Sequence, residues 1–208
     1  MSARLVLATG NHGKVRELRA LLAAEPALAH ISLDEAVIDA ATAGVGDIPE
    51  TGITFEENAL IKARAVVEHT GLPAVADDSG IAVDVLGGAP GIFSARWAGA
   101  RASDENNRRL LLEQVADIPA EHRTAAFVCA VALVLPTGEE TTALGRLEGT
   151  LLTEERGAGG FGYDPILQPA GDKRSCAELS REEKNAISHR GKAFAALAPR
   201  VVEALANP

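Results

Sequence analysis

Apolar positions along the chain follow two periods, and each switch between them marks a predicted element. Arg4 to Ala8 is a short apolar run that predicts a buried strand. A polar loop follows, Thr9-Gly10-Asn11-His12-Gly13-Lys14, and then Val15, Leu18, Leu21 and Leu22 fall on one face of a helix reaching about Ala24. Residues 25 to 53 carry the weakest pattern: a strand near Ile31, then an irregular segment ending in Pro49-Glu50-Thr51-Gly52. Thr54 and Glu57 form a capping box that starts a clear helix, and Gly71 stops it. Phe55, Ala59, Ala63, Val66 and Val67 mark its buried face, while Asn58 and Lys62, four apart, share another.

The stretch from Leu72 to Trp97 is the most unusual. Ala74 to Ala76 predicts a short strand that ends in two acids, Asp77 and Asp78, followed by Ser79-Gly80. Alternation resumes at Ile81, Val83 and Val85 and gives way to the turn-rich Gly87-Gly88-Ala89-Pro90-Gly91. Ser103 to about Val115 reads as a helix with Leu110, Leu111 and Leu112 supplying core. Thr124 to Leu135 and Glu139 to Thr150 predict a long hairpin across Pro136-Thr137-Gly138, extending a sheet beyond a compact α/β core. A second capping box, Ser180 with Glu183, opens a short helix, and Ser188 caps another from His189 to Leu205. With no repeats and no persuasive linker, residues 1–208 are expected to form a single domain, in one or two lobes.

Composition sharpens this picture in three ways. Hydrophobic residues make up 47% of the chain but aromatics only 3%, so the core must be mostly Ala, Val, Leu and Ile, and each aromatic outside it is informative. The net charge of −9 argues against a groove for a nucleic acid polymer. Residues 172 to 192 nevertheless hold six Lys/Arg against four Asp/Glu, enough to receive a small anion. Two cysteines, Cys129 and Cys176, give neither a disulfide framework nor zinc spacing. The longest apolar run, Ala125 to Leu135, is too short to span a bilayer, and the amino-terminal run lacks a signal-peptide pattern. The expectation is a cytoplasmic protein without a membrane partner.

Several segments carry candidate chemistry, each with a plainer alternative. Strand, glycine loop and helix at residues 4 to 24 suit an anion, because free backbone N–H groups at a helix start point outward. The spacing fits neither a Walker A loop nor a dinucleotide fingerprint, and an ordinary strand-to-helix turn explains it equally well. Asp77 and Asp78 at a sheet edge suit a hard cation with oxygen ligands, such as Mg²⁺. They also suit a solvated turn. In Gly157-Ala158-Gly159-Gly160-Phe161-Gly162-Tyr163-Asp164-Pro165, two aromatics between glycines could stack on a flat ligand or pack a turn. Lys184, His189 and Arg190 follow that loop and could serve the same ligand or form a solvated surface. Lys62 alone reads as a solvated lysine.

Five pieces together, ATGNHGKVREL (8–18), PETGITFEENALIKA (49–63), the 72–97 stretch, GFGYDPI (160–166) and EEKNAISHRGKA (182–193), resemble the inosine/xanthosine triphosphate pyrophosphatase family. They stand in family order; small departures occur at Leu167 and at Ser175-Cys176. The resemblance implies an elongated α/β fold with a long mixed sheet, flanking helices and two lobes around a central cleft, assembled as a homodimer. It implies Mg²⁺-dependent hydrolysis of purine nucleoside triphosphates such as ITP, dITP and XTP to the monophosphate and pyrophosphate. By position, Thr9, Gly10, Asn11, His12, Gly13 and Lys14 resemble the triphosphate loop. Asp78 resembles the catalytic base and metal ligand, Glu50 a second metal-binding carboxylate and Asp77 an acidic neighbour. Lys62, Ser79 and Arg96 resemble substrate contacts. Phe161, Gly162, Tyr163, Asp164, Lys184, His189 and Arg190 resemble the base and sugar pocket.

The chemistry suits the residues. Cleavage between α and β phosphates needs charge neutralisation, an oriented water and a proton acceptor, and Asp78 can fill the last role. Lys14 and Lys62, if they converge, would offset charge on the leaving pyrophosphate. A 6-oxo purine would pair with donors from His189 or Arg190, which adenine's amino group would meet donor to donor. No Ser, Cys or His arrangement suggests a covalent intermediate. Two other classes compete with this reading: a nucleotide sensor that binds without cleaving, disfavoured by three clustered acids, and an aspartyl-nucleophile phosphatase, whose Asp-x-Asp near the first strand is missing.

Overall fold

The computed structural model describes residues 3–9 and 12–206. Its elements are strands β1 (Leu5–Leu7), β2 (Val37–Asp39), β3 (Ala74–Val83), β4 (Thr124–Val134), β5 (Glu140–Leu151) and β6 (Leu167–Pro169). Helices are α1 (His12–Leu22), α2 (Leu33–Ala36), α3 (Phe55–Thr70), α4 (Asp104–Gln114), α5 (Arg181–Ile187) and α6 (His189–Ala206). The strands form one mixed sheet in the order β2-β1-β3-β4-β5-β6. β1 lies parallel to both β2 and β3, and β5 lies antiparallel to β6. Helices flank this sheet, so the expected α/β architecture is the one observed.

The chain divides into two compact units, one of residues 1–78, 130–144 and 193–208, the other of 79–129 and 145–192. In the first, Ala59, Ala63 and Val66 of α3 pack with Val6, Ala74, Ala76, Ala132 and Val134. Alanine at both helix and strand positions lets backbones approach closely, so a core nearly free of aromatics still fills its space. In the second, Ile81, Val83, Leu111, Phe127, Leu147, Tyr163 and Ile166 pack together with larger side chains.

Four expectations need correction. The strand placed near Ile31 lies instead at Val37–Asp39; Ile31 sits in a bend, and pairing with β1 selects the later segment. Helix α1 begins at His12, so Lys14 belongs to its first turn rather than to the preceding loop. Of the three leucines of α4 only Leu111 is fully buried, because adjacent helical positions diverge by about 100°. The fourth is the most consequential: β3 does not stop at the acids but continues through Asp77-Asp78-Ser79-Gly80 to Val83. Its pairing with β1 sets Val6 opposite Ala74 and Leu7 opposite Val75, so the acids lie inside the strand, beyond those pairs.

Candidate active site

In the first unit, β3 presents its two acids to different partners. Successive strand residues point to opposite faces. Asp77 is buried, and Lys14 Nζ of α1 donates to its Oδ1 at 2.8 Å and to its Oδ2 at 2.7 Å. Asp78 faces α3. The Asn58 side-chain amide donates to Asp78 Oδ2 at 3.0 Å, and Lys62 Nζ donates to Oδ1 at 3.4 Å. The same ammonium reaches Glu50 Oε1 at 2.8 Å. Glu50 and Asp78, 28 positions apart in the chain, therefore share one cation.

The local sequence explains why these groups meet. Thr54 Oγ1 accepts from the Glu57 N–H at 3.1 Å and Glu57 Oε2 accepts from the Ile53 N–H at 2.6 Å, which fixes the entry to α3. Asn58 and Lys62, one turn apart, then look toward β3. Asn58 is fully buried, and its Oδ1 accepts from the Gly52 N–H at 2.8 Å. A Cβ at Gly52 would stand 2.7 Å from Glu57 Cβ, so the Pro49–Gly52 segment passes too close to α3 for a side chain there. Asn58 thus braces Asp78 on one side and the segment carrying Glu50 on the other.

A cavity of about 400 Å³ in this unit is lined by Thr9, Lys14, Glu50, Lys62 and Asp77, together with Ala40, Ala41, Val45, Gly46, Asp47 and Ile48. Gly10 and Asn11 lie outside the described residues, and His12 and Gly13 open α1. Burial raises the Asp78 carboxyl above the usual range; Lys62 and Asn58 pull it back, and Glu50 adds to the rise. Among the described residues no group of three or more His, Cys, Asp or Glu side chains gathers in metal-binding fashion. Glu50 and Asp78 still suit a hard cation, since their oxygens already converge on one positive charge, and one or two carboxylates suffice for Mg²⁺. Asp77 is held elsewhere, by Lys14.

In the second unit a smaller cavity, about 190 Å³, gathers Ser79, Phe161, Gly162, Tyr163, Asp164, Lys184, His189 and Arg190. The two loop aromatics part company. Phe161 is 64% exposed, with Lys184 Nζ 4.5 Å from its ring centre, whereas Tyr163 is buried and its hydroxyl donates to the Ser94 carbonyl at 2.7 Å. Only Phe161 stands clear in the manner expected of both. Lys184 also pairs with Asp164, whose carboxylate accepts from the Phe161 N–H at 2.8 Å. A Cβ on Gly160 would collide with that carboxylate. Arg190 donates to Ser79 Oγ at 3.3 Å, and the His189 ring packs on Phe127 with centroids 5.2 Å apart. Much of the basic excess between 172 and 192 is neutralised, Arg174 by Asp172 and Glu183 and Lys184 by Asp164.

Arg96 joins neither cavity. It is exposed and lies over the Phe93 ring at 5.2 Å. The sequence offered no role for Asn58, Ser94, Asp104, Asn107, Arg108 or Phe127, though each shapes one of the two sites. For Asn58 a signal existed, its four-residue spacing from Lys62. Asn107 accepts from the Ala98 N–H at 2.8 Å and donates to the Ala95 carbonyl at 3.2 Å, a brace that no spacing reveals.

Fold and sites define a mixed-sheet α/β protein with an acid–ammonium cluster in one unit and a ring-walled polar pocket in the other. The chain matches the model of the Ham1 family over residues 5–200, and it belongs to that family. It is 61% identical over 202 residues to the dITP/XTP pyrophosphatase of Streptomyces coelicolor, covering 97% of this chain and 98% of that one. The dITP/XTP pyrophosphatase of Streptomyces avermitilis is 58% identical over the same shares. Among solved structures, a HAM1 protein from Coxiella burnetii superposes with a TM-score of 0.87 at 40% identity, over 97% of this chain and 99% of that one. The nucleoside-triphosphatase (dITP/XTP pyrophosphatase) of Mycobacterium abscessus gives 0.79 at 48% identity, over 94% and 99%.

Proposed function

We propose that the chain hydrolyses the purine nucleoside triphosphates dITP, ITP and XTP to the monophosphate and pyrophosphate, clearing them from the nucleotide pool. The observation that carries this reading is the single Lys62 ammonium held between Glu50 and Asp78, in a chain of this family. Mg²⁺, bound by Asp78 and Glu50, would supply charge neutralisation on phosphate oxygens and acidify a bound water. Asp78 orients the attacking water and accepts its proton. Its pKa need not be high for this role, because a bound cation itself shifts the local acidity balance. Lys62 and Lys14 meet developing charge on the leaving pyrophosphate, and the first turn of α1 adds backbone donors.

Phe161 offers its exposed face to the purine ring, with Lys184 and Asp164 fixing the loop. Donors from His189 and Arg190 match a 6-oxo acceptor. Adenine would leave them unpaired at roughly 1–3 kcal/mol each, so two mismatches discriminate by about a hundredfold or more. We assign the protein to the cytoplasm as a homodimer, with the nucleotide as ligand and neither membrane nor nucleic acid polymer as partner. No helix among the described residues is long and apolar enough to cross a membrane.

A panel of dITP, XTP, GTP, ATP and dUTP, with product identification, tests the reading. The expected result is dIMP and pyrophosphate from dITP, lost on removal of divalent metal. Release of orthophosphate, or unchanged dITP after long incubation with Mg²⁺, overturns it.

A further inference from the structure

Helix α4 grips the aromatic loop of the second unit at one residue. Asp104 and Arg108 stand four residues apart, so both reach one face of the helix. Asp104 Oδ2 accepts from the Gly162 N–H at 2.6 Å, and Arg108 Nη1 donates to the Gly162 carbonyl at 2.8 Å. The rest of the guanidinium is held in turn by Glu155, at 2.9 Å from Nε and 3.1 Å from Nη2. Both backbone polar groups of Gly162 are thus satisfied from outside its own loop, in a left-handed conformation with φ 57°.

The loop needs such a grip. Residues 157–162 include four glycines and no helix or strand, so their backbone has much freedom to lose. Phe161, 64% exposed, is anchored by little packing of its own. Its place is set through the backbone, by Asp164 at its own N–H and by α4 at the next residue.

We propose that Asp104 and Arg108 are positioning residues that order Phe161 as a stacking platform before the nucleotide arrives, and so set affinity for the purine ring rather than the rate of bond cleavage. The proposal rests on the pyrophosphatase reading. Preorganisation of this kind lowers the entropy lost on binding, so its removal should raise KM and leave kcat.

The test pairs two readouts on the whole chain. Amide exchange at Gly162, followed by NMR on the free protein, should speed up about tenfold or more in Asp104→Ala and Arg108→Met relative to wild type. In the same variants KM for dITP should rise about tenfold with kcat changed less than about twofold. Asp104→Asn, which keeps an oxygen to accept from Gly162, should recover most of both losses. In the double variant the KM effects should fall well short of multiplying, since both act through one residue. Unchanged Gly162 exchange overturns the clamp, as does an Asp104→Asn variant as impaired as Asp104→Ala, which would assign the effect to charge. A fall in kcat at constant KM overturns the positioning role. If wild type cleaves no triphosphate, the pyrophosphatase reading fails and the affinity claim with it, while Gly162 exchange decides the clamp on its own.

Discussion

The two sites are built on opposite principles. In the first unit the acids and ammonium groups of the cluster sit on or beside regular elements and are already paired: Asp77 with Lys14, Asp78 with Lys62 and Asn58, Glu50 with Lys62. In the second, the group best placed to meet a ligand is a half-bare ring on a glycine loop, held by its backbone. Charge chemistry tolerates little displacement, so it is anchored to strand and helix. A stacking face tolerates more and can sit on a loop. Substitutions in the first unit should therefore act on kcat and those in the second on KM.

The sharpest way to break that division is Asp78→Asn. Loss of the base should lower kcat for dITP by about 10²–10⁴-fold. Stability should move the other way. Burial raises the folded-state pKa of Asp78, so the native state holds the proton more tightly than the unfolded chain. Stability therefore declines as pH rises from the ordinary carboxylate pKa through the raised one, and above it the charged form is fully penalised. Asn removes that penalty, and thermal melts at neutral pH without metal should show an unchanged or higher Tm. A marked drop would mean that Asp78 is stabilised as an anion by its neighbours more than burial disfavours it.

Lys62→Met should lower kcat by about 10²–10³-fold, the loss expected for one group aimed at developing charge. It also removes the cation that holds the Asp78 pKa down. In the metal-free protein the Asp78 titration, followed by NMR, should therefore move further up. A titration that stays in place would show that Lys62 does not tune Asp78.

Phe161→Ala should raise KM for dITP by about tenfold or more, in line with roughly 1–3 kcal/mol for base–aromatic stacking, with kcat little changed. A kcat effect of similar size would erase the contrast between the units. The smallest effect is expected at Arg123, buried with Nε and Nη2 lacking an acceptor among the described residues and its pKa lowered by burial. Such a group contributes little, and Arg123→Met should leave stability unchanged or raise it by about 1 kcal/mol in denaturant titration.

Legibility in the sequence tracked locality. The helix at 55–70 was readable from its cap, period and terminal glycine, because each signal lies within four residues of its effect. The β4–β5 hairpin was readable from its turn. The strand at 37–39 was misplaced because three residues carry too short a pattern, and a parallel partner more than thirty residues away decides the pairing. Asp77 and Asp78 read as the end of a strand because turn-forming residues followed them; the sheet carried the strand through.

By itself the sequence determined the α/β class, the family and the residue types able to handle a nucleotide, since these follow from periodicity, caps and ordered motifs. Only the tertiary structure decided that adjacent acids serve different lysines, that Asn58 braces Glu50's segment against Asp78, and that Tyr163 is core while Phe161 stands free. Strand alternation, helix phase and long-range packing set those choices, and each depends on residues far apart in the chain.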